Sequence, residues 1–209
     1  MHRRSKYGKK PLKKAAPKRA IVATVKSVIE RQTEKKHYYN DFGASYSSAS
    51  PDSNFVNLTP ITQGAGDTQR IGDTTKPYSL YLSFGGGYTG TNAAVRILVF
   101  QWNQVTSPSI SEILYSVTDG QDLVNSPISQ DGLHAKKFRI LMDKRIITHQ
   151  YDPKISFVKR MSLKGCRQIG FMGGSTTAAG HIYMWIISDS GATTPPFITC
   201  NHLAILSDF

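Results

Sequence analysis

Thirteen basic side chains crowd the first 36 residues: Arg3, Arg4, Lys6, Lys9, Lys10, Lys13, Lys14, Lys18, Arg19, Lys26, Arg31, Lys35 and Lys36. Nine of them fall within residues 1–19, where no acid occurs, and only Glu30 and Glu34 oppose the set, leaving +11. The remaining 173 residues hold thirteen basic and twelve acidic residues, a net of +1. Lys and Arg at this density neutralise phosphates and release counterions, so the expected ligand is a nucleic acid held with steep salt dependence and little regard for base sequence. These thirteen residues are the candidate nucleic-acid-binding set. Arg3-Arg4-Ser5-Lys6-Tyr7-Gly8-Lys9-Lys10 also fits a nuclear localisation signal.

Other chemistry finds little support. Gly85-Gly86-Gly87-Tyr88-Thr89-Gly90 lacks the Lys-Ser/Thr of a phosphate loop and is followed by a strand pattern, so it reads as a turn or flexible surface loop. The six histidines and two cysteines show no metal-ligand spacing, and Cys166 and Cys200 read as partly buried free thiols of a reducing compartment. Asp119 and Asp122, beside Gly120, read as a solvated turn with too few oxygens for a calcium loop. No nucleophile elbow and no glycosidase-like carboxylate pair is present. The sequence therefore points away from an enzyme, and no metal or other cofactor is expected.

A length of 209 residues suits about one domain. The longest apolar run, Ile182 to Ile187, is six residues, so no membrane insertion is expected. Lys26 interrupts the apolar stretch that a secretory signal would need. Residues 1–18 have almost nothing to bury and are expected to be disordered when free. Ile21, Val22, Val25, Val28 and Ile29 share one helical face, predicting a short amphipathic helix over about 19–31 that docks on the body or on a neighbouring chain. The expected division is a basic arm, 1–36, and a folded body, 37–209.

The body reads as strand after strand: Phe55–Ile61, Tyr78–Phe84, Ala94–Gln101, Lys137–Asp143, Ile155–Leu163, Gln168–Met172, His181–Ser188 and Ile198–Leu206. Tyr78, Leu80, Leu82 and Phe84 should face one way, with Ser79, Tyr81 and Ser83 opposite. Arg139 and Lys159 inside strands suggest a solvent or interface side. Without helical periods between them, these strands predict an all-β antiparallel sandwich or barrel. The stretch 103–136 exceeds a hairpin loop and should hold a short helix or turn at Ile110–Tyr115.

The passage Phe55-Val56-Asn57-Leu58-Thr59-Pro60-Ile61, with Gln63-Gly64 and Gln69-Arg70-Ile71-Gly72, resembles single jelly-roll capsid proteins of small circular Rep-encoding single-stranded DNA (CRESS-DNA) viruses. Satellite necrosis RNA virus capsids are similar in architecture. Val95 to Gln101, Phe138 to Arg145, and Ser156 to Lys159 leading to Leu163-Lys164-Gly165 resemble later strands of that family, and the resemblance spans about residues 33–209. Pro77 and the Gly85–Gly87 run depart from its pattern.

The resemblance implies an eight-stranded antiparallel jelly-roll sandwich with a basic, partly helical N-terminal arm. It also implies a capsid protein that self-assembles into a T=1 icosahedral shell and packages single-stranded DNA. An arm of +11 in about 60 copies supplies roughly 660 positive charges, a counter-charge for a genome of about a thousand nucleotides. Expected partners are further copies of the chain, single-stranded nucleic acid, a nuclear import carrier and a host-cell receptor; expected locations are the virion and, during assembly, the host nucleus. The alternatives are a capsid of a small single-stranded RNA or satellite virus, and a cellular nucleic-acid-binding β-barrel. The latter would carry its aromatic and basic residues on the folded sheet, and the near-neutral body argues against it.

In a jelly roll with the segments lettered B to I as above, Ile198–Leu206 would lie between Phe55–Ile61 and Ala94–Gln101. Likewise His181–Ser188 would lie between Tyr78–Phe84 and Lys137–Asp143. Leu80, Leu82, Ile97, Val99, Ile140, Trp185 and Ile187, or their alternating neighbours, would face inward.

Overall fold

The computed structural model describes residues 34–90, 92–115, 120–129, 136–149, 151–152, 154–176, 178–191 and 193–208, and in the N-terminal stretch residues 21, 22, 24, 25 and 28. The chain divides into two units, 1–34 and 35–209. In the first, Ile21, Val22, Thr24, Val25 and Val28 are helical, as the apolar period predicts, and the four apolar side chains stand exposed. The rest of the expected helix 19–31 and the stretch 1–18 lie outside the described residues.

The body is two antiparallel sheets. Its strands are β1 (Lys35–Ser45), β2 (Phe55–Asn57), β3 (Thr74–Gly87), β4 (Asn92–Trp102), β5 (Phe138–His149), β6 (Lys154–Ser162), β7 (Ile169–Phe171), β8 (Ala178–Ala179), β9 (Ile182–Ser188) and β10 (Phe197–Asp208). One sheet runs β1-β10-β3-β7-β8, with β6 also paired to β3; the other runs β2-β9-β4-β5. The last strand thus pairs with the first, a closure over long sequence separation that a meander does not make. With β1, β2, β3, β4, β5, β6, β9 and β10 as strands B to I, the sheets read B-I-D-G and C-H-E-F. This is the jelly-roll order.

The lettering expected from the sequence is one strand out of step. Ile198–Leu206 lies between β1 and β3, and His181–Ser188 between β2 and β4, because the true first strand lacks a strand-like pattern. In β1 the positions sharing the core face of β10 are Lys36, Tyr38, Asn40, Phe42 and Ala44, of which three are polar or small. Its pairing with β10 holds it at the sheet edge where its own alternation would not.

Two further segments depart from expectation. Strand β2 stops at Asn57, whose Oδ1 accepts the Thr59 N–H at 2.9 Å, while Leu58 and Ile61 leave the sheet and remain fully buried. Gly85, Gly86 and Gly87 form no loop but the end of β3, paired on both sides. At Gly86, φ is +154° and a Cβ would stand 2.3 Å from the Phe197 carbonyl oxygen, so only glycine lets β3 and β10 approach there. Pro77, which has no N–H to give, sits beside the β-bulge where the β3–β10 register shifts between Ile205 and Leu206.

Between the sheets lies a core of Leu80, Leu82, Ile97 and Val99, as expected, with Met142, Met184 and Ile186 in place of Ile140, Trp185 and Ile187. The displaced residues pack on the far side of the smaller sheet. There Ile110, Ile113 and Leu114 of the expected short turn (a 3-10 helix, Ile110–Glu112), with Leu123 and Val124 of helix α1 (Gly120–Asn125), cover Leu98, Phe100 and Trp185. A sheet buried on both faces shows no alternation, hence the one-residue slip in β9; in β5 the bulge opposite Val99 and Phe100 puts Ile140 and Met142 on opposite faces. Arg96 pins this cover. Its guanidinium holds Asp143 through Nε at 2.9 Å and Nη2 at 2.8 Å, and its Nη1 donates to the Ser126 carbonyl at 2.6 Å.

Candidate nucleic-acid interface

Of the thirteen arm and near-arm cations, Arg3, Arg4, Lys6, Lys9, Lys10, Lys13, Lys14, Lys18, Arg19, Lys26 and Arg31 lie outside the described residues. Lys35 and Lys36 open β1 and differ sharply. Lys36 is buried at 1% exposure and its Nζ donates to the Gly66 carbonyl at 3.3 Å, so it cannot reach a phosphate. Lys35 is exposed, its Nζ resting 4.6 Å from the centre of the Tyr78 ring.

That contact lies on the outward face of the larger sheet, whose composition follows from register. Directly paired residues share a face. Tyr39, Leu203, Tyr81 and Arg160 therefore form one row across β1, β10, β3 and β6; His37, Ile205, Ser79 and Ser162 form the next; Lys35, Ser207 and Lys76 form a third. The buried Leu206, Ala204, His202 and Cys200 of β10 point the other way, into the core. Tyr78 has no partner in β10, because the bulge skips it. It was expected to share the face of Leu80; instead its ring lies under Lys35 and, at 5.0 Å, under Lys164. Arg160 lies 5.3 Å from the Tyr81 ring. Tyr78, Tyr81, Arg160 and Lys164 border an open groove of about 570 Å³ floored by Leu203 and Ile205.

The charge on this face is one-sided. Register turns Lys35, Lys76, Lys154 and Arg160 outward, and of the two acids in the same four strands it turns Asp41 outward and Asp208 inward, opposite the buried Thr75. Among the described residues, Lys35, Arg160 and Lys164 form no ion pair. The sequence reading missed this surface because it summed charge over the whole body. Part of that body charge is structural: Arg96 and Arg70 are buried, Arg70 donating to the carbonyls of Gly72, Gly173 and Ser175 and lying 4.0 Å from the Phe171 ring. The alternation of Tyr39, Tyr81 and Arg160 with core residues was the available signal, readable only with the strand partners known.

The remaining candidates carry little. Among the described residues no cluster of His, Cys, Asp or Glu could hold a metal ion; Asp119 and the Asp122 side chain lie outside them. Cys166 is half-buried and Cys200 fully buried, both unpaired, and burial pushes the Cys200 thiol up to about 12, so it is an inert core residue. His181 is a core histidine. Its Nε2 lies 2.8 Å from the Thr176 carbonyl, and its Nδ1 lies 3.0 Å from Thr59 Oγ1, which itself accepts the Ile182 N–H. Burial lowers its pKa. No described helix is long and apolar enough to cross a membrane.

Comparison with solved structures finds viruses and a capsid protein. A Desmodium yellow mottle tymovirus structure is similar at 10% identity and a TM-score of 0.35, covering 83% of this chain and 86% of that one. A turnip yellow mosaic virus structure is similar at 12% identity and a TM-score of 0.35, covering 84% and 80%. A decameric BFDV capsid protein is similar at 12% identity and a TM-score of 0.30, covering 84% and 97%. No curated protein sequence matches significantly. The sequence profile of the satellite tobacco necrosis virus coat protein matches residues 5–199, nearly the whole chain including most of the basic arm, and the chain belongs to that coat protein family.

Proposed function

We propose that this coat protein closes a T=1 icosahedral shell of about 60 copies and packages a single-stranded genome, DNA in the first reading, through its basic N-terminal arm. The observation that carries the packaging reading is the separation of charge: +11 on residues 1–36 against +1 on the rest. The arm cations neutralise phosphates, while sheet faces and loop ends of the jelly roll make the contacts between copies. The role is structural and needs no cofactor. Import into the host nucleus would follow from the basic cluster at residues 3–10. RNA is the second reading, favoured by the match to the satellite tobacco necrosis virus coat protein family. Arm electrostatics accept either polymer.

Electron microscopy of the purified protein should show closed particles of uniform diameter, and monomers alone would sink the shell reading. Nucleic acid extracted from particles should yield to DNase and resist RNase; the reverse assigns RNA. A full-length variant with the nine Lys and Arg of residues 1–19 changed to Gln should lose most co-purifying nucleic acid. If about nine phosphates are contacted, the log of the binding constant of the unaltered chain should fall by roughly 6 per decade of salt. A shallow slope refutes electrostatic packaging.

A further inference from the structure

From the outward face of the larger sheet we infer a second nucleic-acid contact, resting on the packaging reading above: a site for unpaired nucleotides, with bases stacked on Tyr78 and Tyr81 and phosphates held by Lys35, Arg160 and Lys164. The rings of Tyr78 and Tyr81 each already carry a cation, at 4.6 and 5.0 Å for Tyr78 and 5.3 Å for Tyr81. These exposed cation–π contacts are weak. A single nucleotide offers the ring a base to stack on and the cation a phosphate to pair with, so both members of the pair exchange a weak partner for a stronger one. The cations are available for that exchange, since none of the three is held by a described carboxylate.

The floor of the groove supports the same occupant. Leu203 and Ile205 give an apolar bed beside the rings, and Arg160 and Lys164 stand at its margin. A base is flat and apolar on its faces, with its charge one sugar away, which matches an apolar bed with a basic rim. A duplex hides its base faces, so the preference is for single strands. The near-neutral sum of the body does not oppose this site. Asp41 is the one acid that the four strands turn outward, two positions along β1 from the Tyr39-Leu203-Tyr81-Arg160 row. Lys35 also begins the strand that follows the arm in sequence, so a strand gathered by the arm is tethered near this face at high effective concentration.

The test uses the full-length chain, with its arm intact, and two probes: a twenty-nucleotide oligothymidylate and a mixed-sequence duplex of equal length. In Tyr81→Leu the apolar bed is kept and the stacking ring removed; Arg160→Gln with Lys164→Gln removes the rim. The first should weaken oligothymidylate binding roughly fivefold or more and leave the duplex unchanged. The second should lower the single-strand salt slope by about 1.4, two contacts at about 0.7 each. Ultraviolet cross-linking of the unaltered chain to oligothymidylate should place adducts on the peptide bearing Tyr78 and Tyr81, which keeps the inference testable if a variant misfolds. Unchanged affinity with cross-links confined to residues 1–34 overturns the second contact and leaves the arm reading standing. Loss of binding in these variants, with none on neutralising the arm, overturns the arm reading instead. Loss of particle assembly with unaltered binding makes the face a contact between copies and also overturns the inference.

Discussion

His202 gives the sharpest test of the fold's energetics. It sits in β10 on the core face, fully buried, between the rings of Tyr38 at 5.6 Å and Phe42 at 6.1 Å, and neither ring nitrogen has a hydrogen-bond partner. Burial drives its pKa down to about 4, against a smaller opposing interaction with the Leu58 backbone. A histidine held neutral when folded takes up its proton on unfolding between about pH 6.5 and 4. The unfolded state then binds more protons, so the stability contribution is whole above about 6.5 and is lost as pH falls toward 4. A displacement of this size is worth on the order of 3 kcal/mol. His202→Leu removes both the titration and two unpaired buried nitrogens, so at pH about 7.5 it should raise stability by about 1–2 kcal/mol. By pH about 4.5 the gap over the unaltered chain should have grown by a further ~2.5 kcal/mol. Urea denaturation of dissociated subunits across that range measures the gap directly. His181, whose pKa burial also lowers, contributes equally to both proteins and cancels. A gap that stays constant with pH would refute the reasoning, since His202 would then be equally protonated in both states.

Arg96→Met should cost about 3 kcal/mol, the low end for breaking a buried pair because the Asp143 side chain keeps 29% exposure, as read from the urea midpoint. Gly86→Ala should destabilise by about 2 kcal/mol or more, since its Cβ meets the Phe197 carbonyl at positive φ. Gly85→Ala, whose Cβ would meet the Thr199 hydroxyl at 3.1 Å, should cost less than about 1 kcal/mol, both read from the urea midpoint. Lys36→Met should leave the salt slope of nucleic-acid binding unchanged, as a buried ammonium contacts no phosphate; a slope lower by about 0.7 would return Lys36 to the binding set.

Much of this protein is written locally. The charge of the arm needs no fold to be seen, because phosphate neutralisation depends on the density of Lys and Arg along the chain. The all-β body is legible in runs such as Ala94–Gln101 and Ile198–Leu206, where β-branched and aromatic residues alternate or crowd between turn formers. The helical phase of Ile21, Val22, Val25 and Val28 is likewise local, being a matter of 3.6-residue spacing.

What the tertiary structure alone decided is everything that depends on a partner strand. Lys35–Ser45 is a strand because β10 offers it a ladder, not because its own residues alternate, and missing it displaced the five segments from Phe55–Ile61 to Ile155–Leu163 by one position, while His181–Ser188 and Ile198–Leu206 kept theirs. Trp185 and Ile187 face away from the central core because Ile110, Ile113, Leu114, Leu123, Val124 and Ile128 cover the far side of their sheet, which no period-two pattern can announce. Gly85–Gly87 is strand rather than loop because β10 and β6 pair it on both sides. The basic and aromatic face exists only through register: Tyr39, Tyr81 and Arg160 are far apart in sequence and become neighbours when β1, β10, β3 and β6 align. Charge along the chain is additive and visible in one dimension; a surface is a product of pairing, and pairing is settled by the competition of all strands for the same core.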